Sequence, residues 1–193
     1  MTRVICDMSM SLDGYVTGPN DSRENPLGEG GEDLHDWVFD GAADEDRALL
    51  QELVDSVGAV VMGRTSCEKN EGDGGWGDGG PLGDTPCFVV THHAPTRAYA
   101  PVFTFVTDGV EAAIAQASEA AGGKEVHLFG ATVMQQALPL GLVDELRVHV
   151  MPVLIGAGTP LFASLDSAIG LERTHVLATP SATHLRYRVR PSL

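Results

Sequence analysis

A fixed cation and two hydroxyls stand directly behind an apolar run: Arg64, Thr65 and Ser66, introduced by Gly63, follow Gly58-Ala59-Val60-Val61-Met62. Arginine offers a planar fork to phosphate oxygens and hydroxyls add donors, so the group has the chemistry of a phosphomonoester site. Two more short apolar runs end in the same manner. Thr91, His92 and His93 follow "TPCFVV", and Gly130, Ala131 and Thr132 follow "KEVHLF". The last of these suits a pyrophosphate lying on backbone amides at a helix start. Together the three groups describe a site for a phosphorylated dinucleotide. Arg64 alone has a plainer reading, as a helix cap or the partner of a nearby acid.

The carboxylates that could act on a substrate are Asp13, Asp33 and Asp36. Asp13 in "SLDG" makes an Asp-Gly turn in the first instance and a polar substrate contact in the second. Asp33, Asp36 and Asp40 flank a short helical stretch; as surface charges they need no further account, and as pocket groups one of them binds or protonates a heterocycle. The seven histidines form no His-x-x-x-His or Cys/His pattern, so no metal is expected. Extended, His92 and His93 point opposite ways, and at most one reaches a ligand. No Gly-x-Gly-x-x-Gly stands at these strand exits, where "FGATVM" has a single glycine, and Gly-x-Ser-x-Gly does not occur.

These residues need elements to hold them. "RVICDMSM" (3–10) reads as a strand ending at the Asp13-Gly14 turn, followed by a long loop over 18–31 and a short helix in "EDLHDWVFDG". "ADEDRALLQELVDSV" reads as an amphipathic helix with Leu49, Leu50, Leu53, Val54 and Val57 on one face. A glycine-rich stretch, 70–84, carries Trp76, as a lid on a pocket or an anchor to the core. "FTFVT" is a strand leading into a helix, with Asp108 and Glu111 spaced as a capping box and Gly122-Gly123 as the stop. "KEVHLFGATVMQQALP" holds a strand, a tight turn and a helix; "VDELRVHVMPVLIGAG" is a strand in which Leu146, Val148 and Val150 alternate with Arg147 and His149. The C-terminus predicts a closing hairpin at Pro180-Ser181. Strand and helix alternate and the end is strand-rich, which gives an α/β fold with a largely parallel sheet and an antiparallel edge.

The 193 residues suit a single domain over 1–193. With 27 acids against 12 bases the formal charge is −15, which excludes the basic face that nucleic acid requires but leaves room for one local anion pocket. Neither a signal peptide nor a membrane-spanning run is apparent, so a cytoplasmic protein without membrane partners is expected. Cys6, Cys67 and Cys87, odd in number and far apart, read as reduced thiols in or near strands.

With the residues placed, "MSLDGYV", "VVMGRTSCE" and "VHLFGATVMQQALPLGLVDELRVHVMPVLIGAGTPLF", in that order and spacing, resemble the dihydrofolate-reductase-like superfamily, most closely the reductase domain of bacterial riboflavin biosynthesis. The resemblance implies a mainly parallel central sheet with an antiparallel C-terminal hairpin and helices on both faces. It implies NADPH as hydride donor and a pyrimidine- or pteridine-like substrate. By motif position, Gly63, Arg64 and Ser66, with Thr65 adjacent, match adenosine 2′-phosphate contacts, and Thr91 and His92 match the next adenosine-side turn. Phe129, Gly130, Ala131, Thr132 and Val133 match the pyrophosphate turn, although relatives often carry two or three consecutive glycines there. Met8, Ser9 and Val16 match the nicotinamide side. The first-helix acid of dihydrofolate reductases corresponds to Asp33 or Asp36. The resemblance thus implies a reductase of the 5-amino-6-(5-phosphoribosylamino)uracil type; the alternatives are dihydrofolate-reductase-like activity or a non-catalytic pterin-, flavin- or nucleotide-binding module. Arg147 and Arg97 are the candidates for a substrate phosphate, the loops at 18–31 and 70–84 for substrate contacts, and a homodimer is implied.

Overall fold

β1 (Val4–Ser11) lies at the heart of an eight-stranded sheet, because its alternate residues find cover on both sides. The computed structural model describes residues 2–39, 42–72, 75–163 and 165–190. After β1 come β2 (Tyr15–Thr17), a 3-10 turn (Glu32–His35), α1 (Asp44–Ser56), β3 (Val57–Gly63) and α2 (Arg64–Asn70). Then follow β4 (Cys87–Val90), β5 (Phe103–Val106), α3 (Gly109–Ala120), β6 (Glu125–Phe129) and α4 (Ala131–Ala137). β7 (Glu145–Met151), β8 (Thr159–Pro160), β9 (Leu171–Ala178) and β10 (Thr183–Val189) complete the chain.

The strand order is β5-β4-β3-β6-β1-β7-β10-β9, with β2 and β8 paired separately. Every neighbouring pair from β5 to β7 is parallel; β10 runs antiparallel to β7 and β9 to β10. The parallel part therefore presents the carboxyl ends of β3, β4, β5, β6, β1 and β7 along one edge, where ligands of open α/β sheets bind. The hairpin follows the predicted position, turning at Pro180 and Ser181.

Period-two side-chain alternation divides the core. Cys6, Ala59, Val61, Leu128, Leu146 and Val148 pack with α3 and α4 on one face, while Val60, Met62, Cys87 and Val89 pack with Leu53 of α1 and Cys67 of α2 on the other. Trp76 joins this second cluster, its ring centroid 6.2 Å from that of Phe103, and so anchors the glycine-rich loop to the core. All three cysteines are free and buried, Cys6 and Cys87 in strands and Cys67 in α2.

Local details differ from the sequence reading. The apolar stripe of α1 is narrower than predicted: Val54 is exposed and Val57 already belongs to β3. The one buried residue of α1 is Asp46, whose Oδ2 accepts the Ala43 N–H at 2.9 Å, so a carboxylate docks where only leucine and valine were expected. The Asp108–Glu111 capping box does not form, since Asp108 sits at φ −92°, ψ 16°, outside the extended geometry that aims a capping side chain at the first turn. Gly122 and Gly123, both at positive φ, do end α3.

Candidate functional site

Four strand exits converge on one cavity of about 540 Å³, within the ~300–1,000 Å³ typical of small-molecule sites. Gly63, Arg64, Thr65 and Ser66 arrive from β3, Thr91 and His92 from β4, and Gly130, Thr132 and Val133 from the β6–α4 turn. Nine of the residues proposed from sequence for a nucleotide thus share one wall. Thr107 and Gly109 come from β5, with Thr96 and Gln136 completing the polar lining. These were missed in the sequence, although "FTFVT" ends in a hydroxyl just as the other strands do.

Arg64 is held from two sides. Its Nε donates to Glu68 Oε1 at 2.7 Å, one helical turn on, while Nη1 donates to Thr91 Oγ1 at 3.3 Å and to the His93 carbonyl at 3.0 Å. Nη2 has no protein partner among the described residues. Both readings of Arg64 are therefore realised in one side chain: it pairs with an acid and still faces the cavity. His92 and His93 both border the cavity, because the chain bends there instead of continuing extended.

Glycine at the exits serves two different ends. Gly130 has φ +102°, and a Cβ there would sit 2.7 Å from Ser66 Oγ, so the backbone requires glycine and any side chain would push the Ser66 hydroxyl aside. Gly63 has φ −80°, ψ 156°, ordinary extended backbone, and a Cβ would meet Val133 at 3.7 Å. The strand does not need glycine to end; its missing side chain leaves the cavity wall open.

Phe129, Ala131, Met8, Ser9 and Val16 lie off this wall. Val16 and Ala131 are buried among the apolar residues of the α3–α4 side, Met8 packs against them, and Phe129 packs with the opposite cluster. Ser9 Oγ accepts the Trp37 Nε1–H at 2.7 Å.

The candidate acids lie elsewhere again. Asp33 and Asp36 border a second cavity of about 420 Å³, with Met151, Pro152 and Val153 after β7 and Pro180 and Ser181 of the hairpin turn. None of the described residues that line it is a cation. Asp13 is engaged structurally: Oδ1 accepts from Ser11 Oγ at 2.6 Å and from Ile155 N–H, and Oδ2 accepts from Gly156 N–H at 2.7 Å. The Ser11 bond above all keeps its carboxyl below the ordinary range. Asp40 lies outside the described residues.

Neither arginine proposed for a substrate phosphate is free. Arg147 is buried and donates to Glu145 at 2.7 Å and Glu125 at 3.0 Å; Arg97 bonds Glu71 at 2.5 Å and stacks 3.8 Å over the Tyr99 ring. The loops at 18–31 and 70–84 are joined instead by ion pairs, Arg23 to Glu71 at 3.4 Å and Asp21 to Lys69 at the end of α2.

A polar row crosses the α1 side of the sheet on β1, β7 and β10. Asp7 Oδ1 meets His149 Nε2 at 2.8 Å, His149 Nδ1 meets His184 Nδ1 at 2.6 Å, and His184 Nε2 meets Asp46 Oδ1 at 2.8 Å. All four are buried. Sequence reasoning saw only the alternation of Arg147 and His149 within β7.

The family follows from comparison of the whole chain. Residues 2–185 match the model of the RibD C-terminal domain. This chain belongs to the RibD C-terminal domain family. Uncharacterized protein YyaP of Bacillus subtilis is 25% identical over 183 residues, covering 88% of this chain and 85% of its own. Among solved structures, a protein from Shewanella sp. PV-4 described as a candidate riboflavin biosynthesis protein superposes with a TM-score of 0.74 at 23% identity over 99% of this chain and all of that one. The diaminohydroxyphosphoribosylaminopyrimidine deaminase/5-amino-6-(5-phosphoribosylamino)uracil reductase of Thermotoga maritima gives 0.66 at 14% identity, over 98% of this chain and 57% of that one. Dihydrofolate reductase from Enterococcus faecalis, complexed with NADP(H), gives 0.57 at 11% identity over 98% and 97% of the two chains. The fold of this chain is thus dihydrofolate-reductase-like.

Proposed function

We propose that the protein is an NADPH-dependent reductase of a flat polar heterocycle, with a 5-amino-6-(5-phosphoribosylamino)uracil-type reduction as the leading named reaction. The observation that carries this reading is the convergence of Arg64, Ser66, Thr91 and Gly130 on one cavity at the carboxyl edge of the parallel strands. The residues suit the cofactor chemically. Arg64 Nη2 and the hydroxyls of Thr65 and Ser66 would hold the 2′-phosphate, Thr91 and His92 the adenosine side, and the turn from Phe129 to Val133 the pyrophosphate, with Gly130 keeping space that a Cβ would fill. Bound there, NADPH would supply the hydride; the chain's part is to orient the ring and exclude water.

Met8, Ser9 and Val16, on the β1–β2 segment between the two cavities' strands, would form the nicotinamide side. Asp33 and Asp36 would face the substrate in the second cavity, and Asp13 would support it by tethering residues 155 and 156. Two carboxylates without a cation suit the polar ring of such a substrate, whose phosphate would lie outside this cavity. A homodimer belongs to the same reading and is tested by light scattering.

Fluorescence titration with NADPH and NADH tests the cofactor assignment, and loss of reduced-nicotinamide absorbance with pyrimidine or dihydropterin substrates, phosphorylated and not, tests the reaction. Failure to bind NADPH at high micromolar concentration overturns the reading. The second reading, a non-catalytic pterin-, flavin- or nucleotide-binding module, is favoured by the internal pairing of Arg97 and Arg147; binding without turnover of any such substrate would establish it.

A further inference from the structure

The polar row Asp7–His149–His184–Asp46 borders neither cavity, and its geometry fixes its protons. Each outer bond joins an imidazole Nε2 to a carboxylate oxygen at 2.8 Å. An ionised carboxylate only accepts, so both Nε2 atoms carry hydrogen. The middle bond joins two ring nitrogens at 2.6 Å, and one of them must donate. The pair therefore holds three protons on four nitrogens, one imidazole and one imidazolium. With two protons the bare Nδ1 lone pairs would face each other, and with four, two N–H groups would collide. Neither state keeps the contact.

Trp37 is placed to receive this charge. Its ring lies 4.1 Å from that of His149 at an interplanar angle of 31°, a stack in which an imidazolium is attracted to the indole face, while His184 meets it more nearly edge-on at 5.3 Å. The surrounding charges decide which histidine bears the proton. Asp7 lies against His149 and has Arg147 Nη1 4.0 Å from its other oxygen; His127 and Glu125 of β6 lie beyond, Glu125 accepting from Arg147. Asp46 of α1 faces His184, and His35 of the 3-10 turn faces His149. Burial above all holds His184 and His35 below the ordinary histidine range, while His149 alone lies over the indole face, so the stack with Trp37 favours the charge on His149.

We propose that His149 is a positioning residue: the one proton it shares with His184 charges it, clamps Trp37 to the sheet and, through the Trp37–Ser9 hydrogen bond, fixes the Ser9 hydroxyl towards the carboxyl end of β1. That Ser9 faces a ligand rests on the reductase reading. The proton count and the clamp do not.

The test uses imidazole-15N NMR on the wild-type protein without nucleotide. Three proton-bearing nitrogens and one bare nitrogen are expected for the pair at neutral pH; two and two, or four and none, would overturn the proposal. The Trp37 indole resonance, followed in Trp76→Phe protein where it is the sole tryptophan, is expected to hold a plateau over that state and shift on both its acid and alkaline sides. His184→Gln keeps an acceptor for His149 and a donor for Asp46 but takes up no proton, so the acid limb disappears and the alkaline limb stays. An indole resonance indifferent to the proton count, or a His184→Gln protein with both limbs, refutes the positioning role. Because no nucleotide is present, these outcomes are independent of NADPH binding, whose absence would overturn the reductase reading alone.

Discussion

Arg64 and Thr91, from the exits of neighbouring strands, meet at 3.3 Å, and both donate to the same carbonyl, that of His93, at 3.0 Å. The guanidinium is thereby fixed in direction before any ligand arrives, which spares ordering entropy on binding. Arg64→Ala is expected to weaken NADPH binding by about ten- to a hundredfold, the range for losing hydrogen bonds to a charged group, and to leave NADH binding within about twofold. Equal losses for the two nucleotides would place the 2′-phosphate elsewhere.

Gly130→Ala combines a left-handed backbone with a methyl 2.7 Å from Ser66 Oγ. A destabilisation of about 1–3 kcal/mol is expected in urea unfolding. In a Ser66→Ala background the steric part is relieved and the backbone part remains, so the cost of the glycine substitution should shrink without vanishing. A double-mutant cycle that comes out additive would show that Ser66 does not move against the new methyl.

Stability should fall in two stages with acid. His35 and His184 are kept below the ordinary histidine value, first by burial, so the neutral forms they favour stabilise the fold above about pH 6.5 and that contribution is lost as pH falls below it. For Asp7, Asp46 and Glu125 burial pushes upward but is outweighed, at Glu125 by the His127 hydrogen bond and the Arg147 charge, which leave it at about 2. Their contribution is present above about pH 4 and lost progressively towards pH 2. Urea midpoints measured from pH 8 to pH 2 check both stages; a midpoint unchanged from pH 8 to pH 3 contradicts them.

The three thiols should be silent in the folded protein. Burial raises all of them, Cys67 and Cys87 to about 12, so almost no thiolate exists at neutral pH. A chromogenic disulfide reagent is expected to titrate none in native buffer and three in denaturant. Fast reaction of even one native thiol would show that its strand or helix opens.

The first cavity was legible because its code is local. An apolar run followed at once by a hydroxyl, glycine or arginine marks a strand exit, and parallel pairing sets those exits side by side without further instruction. Gly63 shows the limit of such a reading, since the glycine was legible but its purpose was not: the backbone is extended there and the gain is cavity space. The buried row was not legible. Asp7 and His149, or Asp46 and His184, are more than a hundred residues apart, and polar alternation on β7 marks a face without saying what covers it. Here α1 covers it with Asp46, a residue that a helical wheel assigns to water. The placing of Asp33 and Asp36 in a cavity apart from Arg64 depends on the path of the whole loop from 18 to 31, where glycine and proline specify turns but no destination.

β1 occupies the middle of the sheet between strands made much later, with Val4 aligned to Val126 and Ile5 to Glu145. During synthesis at about 5–20 residues per second, this strand, made before both its neighbours, waits several seconds or more with both hydrogen-bonding edges open. The neighbours that close it are non-local, so refolding should be slow for a chain of this size and sensitive to anything that competes for an unpaired strand. A nascent-chain arrest before β7 would leave the protein's central strand exposed on one side, and there chaperone binding is to be sought.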